Sequence, residues 1–362
     1  MRGRISVTRH RVARLRSALR ERRLDALLVS SLPNIRYLTG FTGSNALCVF
    51  TATGGFFLTD TRYRDQSRAE VSGVVRTVTT ETLAAAVLER GYLDGCTHVG
   101  FESNATTYRQ YRALRALLPR HSLRPTADLV EDLAVVKDDH ELSCIRRAVA
   151  ITEQVFLDML NVIRPGKREN EIAAMISYLQ KMYGADRDAF DAIVAGGAHG
   201  ALPHARASER KMRSGEFVTL DFGCTVGGYV SDLTRTVALG RVTRRMRELY
   251  TVVRDAQAAA VAAARSGMWA KDLDAVARRH ITAAGYGRFF SHSLGHGLGL
   301  HVHERPRVSA LSTDRLRAGS VITIEPGIYI PGECGIRIED DVLLTPTGCE
   351  VLTTAPKELL TL

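Results

Sequence analysis

The sequence predicts two domains, an α/β domain over residues 1–130 and an α+β domain over residues 131–362. A chain of 362 residues is longer than one hydrophobic core usually supports. In the first third, short apolar runs alternate with amphipathic segments, whereas in the rest helical patterns precede most of the strand patterns. Polar residues from Pro125 to Asp132 separate the two regions, so we expect the domain boundary there.

The N-terminal domain is expected to begin with an amphipathic helix, because Val12, Leu15 and Leu19 recur at helical spacing. The arginine-rich start lacks the apolar run of a secretory signal, so we expect a cytoplasmic protein. The same patterns predict strands at 26–30, 46–50, 55–59 and 99–101, and helices over 80–91 and 106–119.

The C-terminal domain is expected to begin with a helix after Asp138, because acidic residues favour the positive end of a helix dipole. Apolar side chains at helical spacing follow from Leu142 to Val155. Further patterns predict helices over 168–183 and 243–284, and strands over 216–222, 228–238, 320–325 and 335–344.

Two segments of the C-terminal domain resemble each other at an offset of 104 residues. Residues 212–223 and 316–327 are identical at four of twelve positions, and each runs as an apolar strand into an acid followed by X-Gly. The alignment places Asp221 opposite Glu325, and the strand after each copy carries another acid. A pseudo-twofold repeat of this kind would bring the acids of both copies together.

The composition limits the classes of partner. The formal charge is +10, but only six of the 49 basic residues are lysines, and no basic stripe is interleaved with aromatic residues. We therefore expect no nucleic-acid partner. No apolar run approaches the roughly 20 residues that span a bilayer, so we expect no membrane partner. The six cysteines show no metal-site spacing, which favours free thiols.

The repeated acids and one histidine predict a metal centre. The acids are Asp221, Asp232, Glu325 and Glu339. A single acid at a strand end is often a turn former, whereas converging carboxylates repel one another and raise their pKa values. Two divalent cations would relieve that repulsion. His296 lies between two glycines, which leaves its imidazole accessible as a further ligand.

Carboxylate oxygens with one imidazole suit Mn²⁺, Co²⁺ or Fe²⁺, with Zn²⁺ also possible, and differ from a closed structural zinc site. Two such ions held side by side form a common hydrolytic centre. We therefore expect two divalent metal ions, with Mn²⁺ as the first choice.

Five motifs in chain order resemble those of the pita-bread metallopeptidases, specifically the Xaa-Pro branch that contains prolidase and aminopeptidase P. They are Leu-Asp-Phe-Gly at Asp221, Ser-Asp-Leu-Thr-Arg-Thr at Asp232, Gly-His-Gly at His296, Ile-Glu-Pro-Gly at Glu325 and Arg-Ile-Glu-Asp at Glu339. Their separations of 11, 64, 29 and 14 residues also resemble those of the family. The resemblance extends over the whole chain and implies a pita-bread catalytic domain after residue 130.

The resemblance implies a role for each ligand. Asp232 and Glu339 would bridge the two ions. Asp221 would hold one ion, and His296 with Glu325 would hold the other. Glu325 would also carry a proton to the leaving nitrogen.

Three further residues match family positions that act on the substrate. His204 and His303 match two histidines that steady the substrate and its developing oxyanion. Arg337 matches an arginine that orients Glu339 or binds substrate. His301 stands where many relatives carry an acidic or small residue, and we interpret it as a surface variation.

The resemblance implies hydrolysis of small peptides with proline at the second position. The segment Thr39–Ser44 favours an Xaa-Pro aminopeptidase over an Xaa-Pro dipeptidase, and a homodimer is expected from the same resemblance. Two alternatives stay open. The N-terminal domain argues against a methionine aminopeptidase, and the complete ligand set argues against a non-catalytic binding module on the same fold.

Overall fold

The computed structural model describes residues 2–362, with side chains from Val7 onward. The chain divides into two compact units, Met1–Ala134 and Val135–Leu362. The sequence patterns place the boundary at residue 130. No helix in the described part of the chain is long and apolar enough to cross a membrane.

The N-terminal unit is a mixed six-stranded sheet with helices. The helices are α1 (Arg2–Glu21), α2 (Leu32–Thr39), α3 (Arg64–Glu70), α4 (Leu83–Glu89), α5 (Tyr108–Leu117) and α6 (Glu131–Ala134). The strands are β1 (Ala26–Val29), β2 (Ala46–Thr51), β3 (Gly55–Asp60), β4 (Val75–Thr79), β5 (His98–Glu102) and β6 (Ser122–Thr126). The strand order is β4-β3-β2-β1-β5-β6, in which β2 runs antiparallel to both neighbours and the other pairs are parallel.

Pro125 lies inside a strand rather than in a polar linker. It belongs to β6, where it pairs in register with Phe101 of β5. Because β6 is an edge strand, one side of its backbone needs no ladder partner, and a proline is tolerated there. In the sequence this proline is a boundary signal, so strand β6 is not among the predicted strands.

The C-terminal unit contains four α-helices and thirteen strands within the described residues. The helices are α7 (Asp139–Met159), α8 (Glu169–Met182), α9 (Arg244–Ala263) and α10 (Ala270–Ala283). The first strands are β7 (Arg187–Asp188), β8 (Ile193–Gly196), β9 (Phe217–Phe222), β10 (Cys224–Val226), β11 (Tyr229–Val230) and β12 (Leu233–Ala238). The remaining strands are β13 (Gly295–Gly297), β14 (Glu304–Val308), β15 (Val321–Ile324), β16 (Gly327–Ile330), β17 (Cys334–Arg337), β18 (Asp340–Leu344) and β19 (Cys349–Val351).

These elements form two halves of similar construction. Helices α7 and α8 share a core with the sheet β12-β9-β8 through residues such as Phe156 and Leu220. Helices α9 and α10 share a core with the sheet β14-β13-β15-β18-β19 through residues such as Val253 and Ile324. Each half therefore combines two helices with a sheet, and the repeated segments of the sequence supply the equivalent strands β9 and β15.

The helical pattern over 243–284 is divided into two helices. Helix α9 ends at Ala263 and α10 begins at Ala270. Helix α9 is capped by Ala264, whose extended backbone (φ −66°, ψ 122°) ends the helix, and Gly267 in the linker has a φ of +79°, a left-handed conformation that glycine adopts at little cost. The periodicity continues across the break because both helices bury one apolar face in the same core.

The strands predicted over 228–238 and 335–344 are also interrupted, and each interruption holds a predicted metal ligand. Asp232 lies between β11 and β12, and Glu339 lies between β17 and β18. Strand β17 pairs with β16 whereas β18 pairs with β15, so the chain changes sheets at Glu339. The Glu339 N–H then donates to the Thr234 carbonyl across the two halves, at 3.1 Å.

A buried arginine on β12 holds this junction together. Arg235 is 1% exposed, and its Nη2 lies 2.9 Å from Asp340 Oδ1. Its guanidinium also donates to the carbonyls of Glu339, Ala355 and Pro356. One side chain thus joins β12, the residues around Glu339 and the C-terminal segment.

We expect Arg235→Ala to lower the free energy of unfolding by about 3 kcal/mol or more, because Asp340 and several carbonyls lose a buried donor. Urea unfolding followed by circular dichroism measures this. The control is Arg244→Ala, since Arg244 forms an exposed pair with Glu248 and should cost less than about 1 kcal/mol. Equal costs for the two variants would contradict the role of Arg235.

Candidate metal centre

The C-terminal unit contains a cavity of about 1320 Å³. It is lined by all eight residues that the sequence analysis names as ligands or substrate-contacting residues: His204, Asp221, Asp232, His296, His303, Glu325, Arg337 and Glu339. These residues are far apart in the chain, and the two halves bring them to one place.

The predicted ligands stand at strand ends or interruptions. Asp221 is the fifth residue of β9, and Asp232 immediately precedes β12. Glu325 immediately follows β15, Glu339 separates β17 from β18, and His296 is the middle residue of β13. Apolar strand residues anchor each of these positions in the core, and the polar side chain is left at the cavity.

The side chains approach closely enough to share a cation. One ligand atom each from Asp232, His296 and Glu339 lies within 4.8 Å of the others. His296 Nε2 is 3.8 Å from Asp232 Oδ2 and 3.4 Å from Glu325 Oε1. Asp221 Oδ2 accepts a hydrogen bond from Arg337 at the same cavity.

The tautomer of His296 follows from its backbone contact. Its Nδ1 lies 3.1 Å from the Gly297 carbonyl, which can only accept, so Nδ1 carries the proton. Burial, with the charge of His303, lowers the pKa of His296 to about 4, so the ring is neutral at neutral pH. The Nε2 lone pair therefore points at carboxylate oxygens of Asp232 and Glu325.

Burial and mutual repulsion raise the pKa values of the clustered acids. Burial, followed by the charges of Glu339 and Asp221, raises the pKa of Asp232 well above its usual value. Burial and Glu339 do the same to the pKa of Glu325. Burial and Asp221 raise the pKa of Glu339 to about 8. Crowded anions of this kind need protons or cations for their charge to be tolerated.

Unpaired oxygens show where cations fit. Asp232 Oδ1 and Glu339 Oε1 are buried and find no hydrogen-bond partner among the described residues. A buried carboxylate oxygen without a donor costs free energy that a coordinated cation recovers. When the acids are ionised, these atoms and the Nε2 lone pair of His296 form an acceptor-only set, which fits divalent cations.

Arg337 is the buried cation of the site. It contacts Asp221 directly, and its Nε lies 4.0 Å from Glu325 Oε2. Its Nε also donates to Thr234 Oγ1 at 3.1 Å, and that hydroxyl donates to Glu339 Oε2 at 2.6 Å. Arg337 therefore reaches Glu339 through Thr234, where the sequence analysis expected it to orient that carboxylate or bind substrate.

Several residues of the site were not found from the sequence. Tyr329 OH accepts from Arg337 Nη1 at 2.5 Å and lies 2.9 Å from His292 Nε2. Asp341 Oδ2 accepts from the Asp232 N–H at 3.0 Å, and its other oxygen is unpaired among the described residues. Asp341 could have been found as the second of two acids that follow Glu339 within an apolar strand.

The two predicted substrate histidines are accessible. His204 and His303 are both exposed, and the His303 ring lies edge-on to His296, with centroids 4.4 Å apart. Burial and the charge of His204 lower the pKa of His303, so its ring is predominantly neutral and can donate one hydrogen bond. His301 is exposed and lies outside the described lining of the cavity, so it is placed as a surface residue.

Comparison with known proteins agrees with this geometry. The model described as Metallopeptidase family M24 matches residues 143–346, and the Creatinase/Prolidase N-terminal domain matches residues 11–136. The chain is 41% identical to the uncharacterized peptidase YqhT of Bacillus subtilis (strain 168), over 97% of this chain and 100% of the relative.

Two solved structures are also similar. An Xaa-Pro dipeptidase from Bacillus anthracis superposes with a TM-score of 0.96 and 38% identity, covering 98% of this chain and 100% of that chain. An X-Pro aminopeptidase from Thermotoga maritima MSB8 superposes with a TM-score of 0.89 and 35% identity, covering 96% of this chain and 100% of that chain. The chain therefore belongs to metallopeptidase family M24, in its Xaa-Pro branch.

This membership confirms the resemblance to the pita-bread metallopeptidases and the fold class that the sequence motifs predict. The protein is a metallopeptidase, with an α/β creatinase/prolidase-type N-terminal domain and a pita-bread catalytic domain. Membership of the family implies divalent metal ions, and the acceptor cluster described above fits them.

We expect Asp232→Asn and Glu339→Gln each to reduce the manganese retained after gel filtration to less than about half, because each removes a charged oxygen from the cluster. Inductively coupled plasma mass spectrometry measures the content. The control is Asp255→Asn, since Asp255 forms a surface pair with Arg254. Full retention of manganese by both cluster variants would contradict the ligand assignment.

The raised pKa values predict how pH affects stability. A pKa of about 8 for Glu339, against the ordinary 4.5, means that the metal-free folded protein keeps a proton that the unfolded chain releases between these values. The stability of the metal-free protein should therefore fall as pH rises through this window. Cations replace the proton, so the increase in Tm on adding Mn²⁺ should be larger at about pH 8 than at about pH 5.

Differential scanning fluorimetry with and without chelator measures this difference. Glu339→Gln should reduce the pH dependence of the metal-free form, because the amide cannot titrate, while Asp232 and Glu325 still can. An increase in Tm that is the same at both pH values would contradict the electrostatic account.

Proposed function

We propose that this metallopeptidase hydrolyses the Xaa-Pro bond of small peptides at a centre of two divalent cations. One observation carries the proposal: the lone pair of His296 Nε2 faces oxygens of Asp232 and Glu325 at 3.8 and 3.4 Å, and once these acids are ionised only a cation can join them. Such a cluster is a cation site in a cavity large enough for a small peptide.

The ligands in this proposal are Asp221, Asp232, His296, Glu325 and Glu339, with Mn²⁺ as the first choice and Co²⁺, Fe²⁺ or Zn²⁺ as alternatives. When bound, such a pair of ions supplies an activated water nucleophile and polarises the scissile carbonyl. Everything else in the reaction is assigned to groups of the chain itself.

Glu325 is the proton carrier in this proposal. Burial raises the pKa of its carboxyl group, so it can accept a proton and return it to the leaving nitrogen. Thr323 Oγ1 donates to Glu325 Oε1 at 3.3 Å, and the same hydroxyl accepts from the His296 N–H at 3.1 Å. Thr323 therefore orients the carboxylate relative to His296.

His204 and His303 are the substrate-steadying groups. Both line the cavity, and neither forms part of the acceptor cluster. An imidazole N–H can donate to the scissile carbonyl, and this hydrogen bond gains strength as that oxygen becomes negative in the transition state. Arg337 is held by Asp221 and Tyr329, and its positive charge partly balances the carboxylates beside the two histidines.

Proline at the second position is supported by the similarity to an Xaa-Pro dipeptidase and an X-Pro aminopeptidase. Proline lacks an N–H and has a fixed φ, so a peptidase that reads its substrate through that N–H binds it poorly. This similarity also argues against the methionine aminopeptidase alternative.

The motif at Thr39–Ser44 favours the aminopeptidase form, which acts on longer peptides. A second candidate, the dipeptidase form, is supported by Arg307 on β14. Arg307 lines the cavity, and its Nε donates to Ser293 Oγ at 3.1 Å, which leaves other guanidinium N–H groups able to bind a terminal carboxylate.

A homodimer and a cytoplasmic location remain predictions from the sequence.

The test compares three substrates with the manganese-loaded enzyme: Ala-Pro, Ala-Pro-Ala and Met-Ala-Ser. We expect cleavage of the first or second and none of the third, with release of free alanine measured by chromatography. Faster cleavage of Ala-Pro-Ala identifies an aminopeptidase, whereas faster cleavage of Ala-Pro identifies a dipeptidase. Cleavage of Met-Ala-Ser alone would refute the proposal.

Arg307→Ala separates the two forms further. In a dipeptidase it should raise KM for Ala-Pro by roughly tenfold or more, because the carboxylate loses a charged partner. In an aminopeptidase the loss for Ala-Pro-Ala should be much smaller. The control is Arg288→Ala, since Arg288 lies over the Phe289 ring and outside the described cavity lining.

A further inference from the structure

His204 is presented to the cavity by a loop that we define as the His204 loop, residues 197–207. It begins with a 3₁₀ turn, Gly197–Ala201, directly after β8. Its residues from Pro203 to Ala207 line the cavity. Because His204 is exposed, its own packing does not fix its position, and the loop must be held elsewhere.

One buried carboxylate ties both ends of this loop. Glu169, the first residue of α8, is 0% exposed. Its Oε1 accepts from the Gly196 N–H at 2.9 Å, just before the loop. Its Oε2 accepts from Ser208 Oγ at 2.6 Å and Ser208 N at 3.2 Å, just after the loop.

The same carboxylate also holds the turn within the loop. His199 Nδ1 lies 2.8 Å from Glu169 Oε2. Arg210 lies 3.9 Å from Glu169 Oε1 but forms its closer pair with Glu216, at 2.5 Å. The contacts of Glu169 therefore lie mainly at the two ends of the loop, with His199 inside it, and hydrogen bonds to a carboxylate are stronger than those between neutral groups.

The middle of the loop rests on β17, which carries Arg337. A β-carbon built on Gly335 would lie 1.7 Å from the Gly200 carbonyl oxygen, so this contact requires glycine. Arg337 Nη1 donates to the Pro203 carbonyl at 3.3 Å. The residue before His204 is therefore tied to the same arginine that contacts Asp221.

We propose that Glu169 is a positioning residue for catalysis, which fixes His204 relative to the metal ligands by clasping both ends of its loop. This inference rests on the proposed function, in which His204 steadies the substrate. The clasp acts on the substrate side of the cavity and leaves the ligand set unchanged. Its loss should therefore reduce kcat while the metal content stays the same.

The test is a double-mutant cycle with Glu169→Gln and His204→Ala in the manganese-loaded enzyme. We expect His204→Ala to lower kcat/KM by roughly 10²-fold, and Glu169→Gln alone by roughly tenfold, mainly in kcat. In the His204→Ala background, Glu169→Gln should change kcat/KM by less than about twofold, because the loop then positions nothing. Manganese per chain should match the wild type in every variant.

Two further variants sharpen the comparison. Glu141→Gln removes another buried carboxylate, which caps α7 through the Asp138 N–H, and should leave kcat unchanged. Ser208→Ala removes a donor to Glu169 at the end of the loop, and it should lower kcat with the same lack of effect in the His204→Ala background. A Glu169→Gln loss that is equal in both backgrounds, or that follows a loss of manganese, would overturn the proposal.

Hydrogen–deuterium exchange gives a readout that does not depend on activity. Peptides covering residues 197–207 should exchange faster in Glu169→Gln than in the wild type or Glu141→Gln. If the wild type cleaves no Xaa-Pro substrate while this difference is present, the proposed function is wrong, but Glu169 still holds the loop. If the wild type cleaves an Xaa-Pro substrate and neither kcat nor exchange changes in Glu169→Gln, the proposed role of Glu169 is wrong while the proposed function stands.

Discussion

The structure depends on the repulsion between acceptor groups that the fold forces together. His296 Nε2 faces carboxylate oxygens of Asp232 and Glu325 at 3.8 and 3.4 Å, and Glu339 lies beside them with a buried, unpaired oxygen. Burial raises the pKa values of all three acids. A cluster of this kind needs protons or cations to be stable at neutral pH, so the region of the fold with the strongest repulsion is also where cations fit best.

The two halves of the catalytic unit are built to hold that cluster in place. Asp232 and Glu339 stand in strand interruptions, where a side chain can leave the core, while Arg235 is buried between β12 and the C-terminal segment. Arg337 connects Asp221 to Glu339 through Thr234. The proposed ligands are therefore held by neighbours that are themselves buried, as a preorganised site requires.

The family, the fold class and the eight residues that meet in one cavity could be predicted, because the acids end apolar strands and His204, His303 and Arg337 match motifs of the family. Other features could not. The change of sheets at Glu339 depends on which strands pair, which a continuous apolar run conceals. Glu169 lies at a helix start, where an acid needs no further explanation, and its contacts with Gly196 and Ser208 exist only in three dimensions. Pro125 was read as a break although an edge strand accepts it.

The central claim is that five side chains hold a pair of divalent ions. Crystals of the manganese-loaded protein, measured with X-rays at the manganese absorption edge, test it most directly. The account predicts two anomalous peaks per chain, both within coordination distance of the oxygens and the imidazole named above. A single peak, or peaks outside this cavity, would contradict it.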